Sequence, residues 1–202
     1  MKRLSVLTIL FFLSLKSFSQ NEKRFKYYFN GSFGLYLPSK VDDALSKNGS
    51  VYTFQFQTNY KDNYFTRLYF DQSNINYSDK VISNGLNVRI DDYVQTNSYG
   101  LDIGYSFFEK KKLSYFAYIG TGLASMRVPL IKYNVSENIL ESYKSSKSFL
   151  NLRTGIGIEY EFNKFFILYF EAQYSSIPYK TDLSNKQLNG ISTLIGFKTP
   201  LQ

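Results

Sequence analysis

From Phe149 to Ser176 the chain reads FLNLRTGIGIEYEFNKFFILYFEAQYSS. Leu150, Leu152, Thr154, Ile156, Ile158, Tyr160 and Phe162 alternate with Asn151, Arg153, Gly155, Gly157, Glu159 and Glu161, and after Asn163-Lys164 the pattern starts again. A period of two over this length predicts strand, turn and strand with one apolar and one polar face. Similar runs of about 10 to 14 residues lie near 25–37, 51–60, 64–73, 93–108, 113–126, 148–162, 165–176 and 188–199. None has a convincing period of 3.6. The connections fall into two classes. Lys61-Asp62-Asn63, Glu109 to Lys112 and Asn163-Lys164 are tight, whereas 38–50, 74–92, 127–147 and 177–187 are long. Strict alternation of short turns with long loops predicts an up-and-down antiparallel barrel whose two ends face different environments. Pro38, Pro129 and Pro178 fall where strands meet long loops, as befits a residue with no N–H to give the ladder.

Which face looks inward follows from side-chain volume. One face carries Tyr52, Phe54, Phe56 and Tyr60, then Tyr64, Leu68 and Phe70, then Tyr99, Leu101, Ile103, Tyr105 and Phe107, then Phe166, Leu168, Phe170 and Tyr174. Roughly forty apolar groups of this kind would overfill an eight-stranded barrel, whose interior is just wide enough for its own inward side chains or one small ligand. The other face is rich in Gly, Ser, Asn and Gln with isolated charges, which suits a narrow lumen. The apolar face is therefore expected to point outward into lipid. Run length agrees, because a tilted membrane strand needs about 9 to 11 residues. Tyr27, Tyr52, Tyr60, Tyr64, Tyr99 and Tyr174 sit toward run ends and would form interfacial girdles. The competing arrangement is a soluble barrel that holds a lipophilic ligand inside, or a narrow polar channel in the membrane.

The first residues differ from the rest. Lys2 and Arg3, an apolar run from Leu4 to Leu15, and Ser17-Phe18-Ser19 make residues 1–19 a secretory signal peptide with cleavage before Gln20, leaving 20–202 as one barrel domain. Removing that leader lowers the formal net charge of +8 by three, to about +5, a balance that gives no reason to expect nucleic-acid binding. Phe and Tyr number 19 each, and Trp is absent. The chain has no Cys and no His. That removes disulfides, thiolate metal sites, the usual general base and the Ser-His and Cys-His pairs of hydrolases.

The leader, the eight runs, the Gly-rich inner faces in YIGTGLASM and RTGIGIEYEF and the closing NGISTLIGFKTPLQ together resemble the small OmpA/OmpX-like, or porin family, outer-membrane barrels of Gram-negative bacteria. That resemblance covers essentially the whole mature chain. It implies an integral outer-membrane protein, inserted by the barrel-insertion machinery among outer-membrane lipids, with a structural or surface-binding role and a possible surface ligand or partner protein at the long loops. Enzymes exist on similar barrels, but those weighed rely on a histidine that this chain lacks. No catalytic, cofactor-binding or metal residue is assigned, and no cofactor is expected.

Among the polar-face residues, Arg67, Asp102, Arg153, Glu159, Glu161, Glu171 and Lys198 point into the lumen and must pair with one another there. Gly120-Thr121-Gly122 and Gly155-Ile156-Gly157 lack the third glycine and helix of a phosphate loop, and are read as room for inward Arg and Tyr side chains. Asp42-Asp43 and Asp91-Asp92 are read as solvated loop acids rather than calcium ligands. The acceptor patterns at Asn48 and Asn134 are discounted for a bacterial surface protein.

Overall fold

The computed structural model describes residues 25–39, 45–61, 63–83, 86–110, 112–134, 139–178 and 187–201. The leader at 1–19, Asp42-Asp43 and most of the 177–187 connection lie outside these residues. Alternating sequence gives alternating strands: β1 (Phe25–Pro38), β2 (Leu45–Tyr60), β3 (Tyr64–Ser83), β4 (Leu86–Lys110), β5 (Leu113–Asn134), β6 (Ile139–Asn163), β7 (Phe166–Pro178) and β8 (Gln187–Leu201). Each pairs antiparallel with its sequence neighbour, and β1 pairs with β8, from Tyr27 opposite Leu201 to Pro38 opposite Gly190, so the sheet closes without an edge. No helix occurs among the described residues.

The faces fall as the volume argument requires. Outward side chains are large, apolar and uncovered: Ile119 is 72% exposed, Ile103 68%, Ile156 64% and Phe33 61%. Inward positions such as Asn30, Thr53, Gln55, Gln57, Arg67 and Asp102 are buried. An inward apolar face around a lipophilic ligand is not the arrangement adopted. Tyr64 and Tyr105 meet edge to face across β3 and β4, with centroids 5.0 Å apart, at the short-turn end of the outer wall. Tyr52, Tyr99 and Tyr174 are exposed at the opposite end.

Two of the expected long loops are corrected. β3 continues to Ser83 and pairs with β4 down to Leu86, and β5 continues to Asn134, opposite Ile139 of β6. Most of 74–92 and 127–147 is thus hairpin extending beyond the apolar band, and Pro129 lies inside one of these extensions, opposite Lys144. Pro38 and Pro178 do end their strands. The connection at 38–50 is also shorter than expected, because β2 begins at Leu45. The β6–β7 turn falls on Lys164-Phe165 rather than Asn163-Lys164, because the Asn163 side-chain oxygen accepts the Phe165 N–H at 2.9 Å. Lys61, in the β2–β3 turn, takes φ of 50°, a left-handed conformation more usual for Gly or Asn.

Inward glycines make space for rings, as the two Gly-X-Gly stretches suggested. A Cβ on Gly157 would lie 2.2 Å from the Phe116 ring, one on Gly155 2.5 Å from the Tyr118 ring, and one on Gly122 2.5 Å from the Tyr69 hydroxyl. The Gly157 position is closed on a second side by the Phe170 carbonyl oxygen, at 2.7 Å. Gly157→Val is therefore expected to destabilise the barrel by about 1–3 kcal/mol, the usual cost of overpacking. Urea titration of the refolded protein measures it, and Phe116→Leu in the same chain should recover part of the loss.

Candidate functional site

Among the described residues, the lumen is the one place where charged groups gather away from water, and its contents are layered from the short-turn end toward the long hairpins. At the short-turn end lies a vestibule of about 130 Å³ lined by Lys26, Tyr28, Asn59, Glu159, Glu161 and Lys198, among others. Lys198 is buried and donates to both carboxylate oxygens of Glu159 at 3.0 Å. Its ammonium also lies 4.4 Å from the Tyr28 ring centre.

Above the vestibule stand Phe65, Phe116 and Tyr118, all buried. Phe65 meets Phe116 edge to face at 6.1 Å, and Phe116 stacks on Tyr118 at 6.4 Å. These rings form a seat for cations. The Arg67 guanidinium carbon lies 4.0 Å from the Tyr118 ring centre and 5.1 Å from that of Phe65, and Arg153 lies 3.3 Å from the Tyr69 ring centre. Such contacts gain strength where water is excluded.

The charges themselves make one alternating chain across the barrel. Asp71 on β3 is 2.5 Å from Arg153 on β6, and Arg153 holds Asp102 on β4 through two bonds of 2.7 and 2.5 Å. Asp102 is 3.2 Å from Arg67 on β3, which donates to Glu171 on β7 at 3.0 Å. Neutral groups complete the ends. The Thr53 hydroxyl donates to Asp71, the Tyr118 hydroxyl donates to Glu171, and Gln55 accepts from Arg67 at 3.1 Å. Asn30 then bridges Gln55 and Gln57, at 3.1 and 3.0 Å. Bidentate pairing between a guanidinium and a carboxylate is the geometry in which a buried ion pair best offsets its desolvation.

A third layer was not legible beforehand. Tyr36, Val51, Ile75, Val94, Ala124, Met126, Ile177 and Leu194 form an apolar cluster inside the barrel, with Phe149 packed against it. It lies toward the long-hairpin end, above the ion chain. Several of its members are single apolar residues on otherwise polar faces, such as Val94 before Thr96 and Ile177 after Ser175, so parity was their only signal.

The expected lumen charges are brought together in all but one case. Arg67, Asp102, Arg153, Glu171, Glu159 and Lys198 pair, whereas Glu161 is exposed at the vestibule mouth. Asp71, which has polar-face parity on β3 but is not among the charges expected to pair, is the terminal member of the chain. Asp91 faces Arg89 at 3.0 Å, and Asp92 faces Lys144 at 3.1 Å on the outer part of the long hairpins. The Tyr93 backbone N–H, aided by Lys144, holds the Asp92 carboxyl below its usual range.

Curated proteins include no match to this chain. Solved structures do match. The outer membrane protein OprG of Pseudomonas aeruginosa is similar over 89% of this chain and 97% of its own, with 13% identity and a TM-score of 0.56. Neisserial surface protein A is similar over 87% of this chain and 96% of its own, with 11% identity and a TM-score of 0.53. At such identities the likeness shows the fold. The model of the outer membrane protein beta-barrel domain matches residues 5–193, nearly the whole length, and the chain therefore belongs to that family of outer-membrane proteins.

Proposed function

We propose that this outer-membrane protein is a closed barrel, a structural wall that presents the long β3–β4 and β5–β6 hairpins for binding outside the cell. The observation that carries this reading is the stack across the lumen, in which an apolar layer lies over five buried charges joined side to side. An ion entering that path would have to displace guanidinium–carboxylate contacts and then cross an apolar layer whose one hydroxyl, on Tyr36, could not replace its water shell. Binding rather than catalysis fits a chain without histidine, and surface extensions held by a rigid scaffold are a common seat of recognition. Residues 1–19 belong to the same reading as the leader that sends the 20–202 barrel across the inner membrane.

The vestibule favours a second reading, since it opens the lumen on one side. A narrow channel would use the Lys198–Glu159 pair as its inner mouth. Planar-bilayer recordings separate the two. The closed-barrel reading expects no unitary openings from the wild type, and openings only when the plug is cut, as in Arg153→Ala. Steady openings in the wild-type protein would establish the channel and end the closed-barrel reading.

A further inference from the structure

The ion chain is not neutral. In order it runs Asp71, Arg153, Asp102, Arg67, Glu171, with carboxylates at both ends and two guanidinium groups against three acids. The nearby Lys198–Glu159 pair is itself balanced, so among the described residues one negative charge remains in a place that excludes water. An uncompensated buried charge costs several kcal/mol. Something should meet it.

The two ends differ. Each takes a hydroxyl, Glu171 that of Tyr118 and Asp71 that of Thr53, but Glu171 is fully enclosed. Asp71 borders a cavity of about 20 Å³ beneath the apolar layer, walled also by Thr96, Ser98, Asn151, Ser175 and Ser192. Thr96 Oγ1 and Asn151 Oδ1 have no hydrogen-bond partner among the described residues, although these side chains are only 2% and 1% exposed. The Asn151 amide nitrogen is committed to the Tyr69 hydroxyl at 3.3 Å, which leaves its carbonyl oxygen unpaired. Buried acceptors of this kind are normally satisfied. The volume holds one particle the size of a water molecule.

From the charge excess, the unpaired oxygens and the cavity size together, we propose that this pocket binds a single small monovalent cation, of sodium's size, between Asp71, Asn151 and Thr96. Hard oxygen donors suit a hard ion. One charge is the amount missing, whereas a divalent ion would overturn the balance and ordinarily takes more than one carboxylate.

The test compares unfolding of the refolded barrel in zwitterionic detergent with sodium chloride or choline chloride at equal ionic strength. Choline carries the same charge but is too large for the cavity. Sodium at one hundred times its dissociation constant should raise the folded-to-unfolded ratio about a hundredfold over choline, saturably. In Asn151→Ala, and in the milder Thr96→Val should the first not fold, that difference should largely vanish. Equal stability in the two salts for the wild type would overturn the proposal and leave a water molecule or a shared proton in the cavity. A sodium effect that persists undiminished in folded variants would overturn it too, since the ion would then sit elsewhere.

Discussion

Arg153→Ala is expected to destabilise the folded barrel by about 3–5 kcal/mol, the cost of leaving buried carboxylates without their partner. Arg153 is the densest node of the lumen. It bonds Asp102 through two nitrogens, reaches Asp71 at 2.5 Å and Gln173 at 3.3 Å, and lies over the Tyr69 ring. Truncation strips both Asp71 and Asp102 at once, and Asp102 then keeps only Arg67, at 3.2 Å. Urea midpoints of folded and unfolded bands on a gel measure the loss. Removing Asp71 as well should return part of it, since the double variant carries one fewer uncompensated acid. A loss within 1 kcal/mol for the single variant would mean that the ion chain does not hold the lumen together.

Ile119→Lys should cost about 2–4 kcal/mol, the penalty for a basic residue at the lipid-facing midplane of a barrel. Ile119 is 72% exposed and sits opposite Ile103 in the β4–β5 ladder. The size of the effect is diagnostic because the site touches little protein. On a water-facing wall the same change would stay within about 0.5 kcal/mol. Gln95→Lys, on the same outward face of β4 but beyond Tyr99, should cost far less. Refolding into vesicles of one lipid, followed by denaturant titration, gives both values.

Closure, strand number and face assignment were legible because they rest on a period of two and on volume. Phe54, Leu101 and Ile156 cannot share an eight-stranded interior with their counterparts from every other strand, so the inversion of the faces follows from counting. Other features depended on contacts that sequence spacing does not encode. Asp71 and Arg153 are 82 positions apart and meet only because β3 and β6 face each other across the lumen. The long hairpins were read as loops because, at Asn74, Asn76, Ser78 and Lys80, the outward face that is apolar lower down the strand turns polar. Beyond the lipid no hydrophobic contrast is needed, and the backbone ladder alone sustains the strand. Phe165 was placed in a strand by its hydrophobicity, whereas the Asn163 side chain draws it into the turn. The glycines announced the need for space, but only the fold shows that Gly157 faces Phe116 and Gly155 faces Tyr118.

The central claim is that the apolar wall faces lipid, and the absence of tryptophan allows a direct test. A single reporter is introduced as Ile119→Trp, and the protein is refolded into bilayers brominated at successive acyl-chain depths. The account predicts blue-shifted emission, quenched most by bromines near the bilayer centre and untouched by aqueous acrylamide. Strong acrylamide quenching with no response to brominated lipid would contradict it.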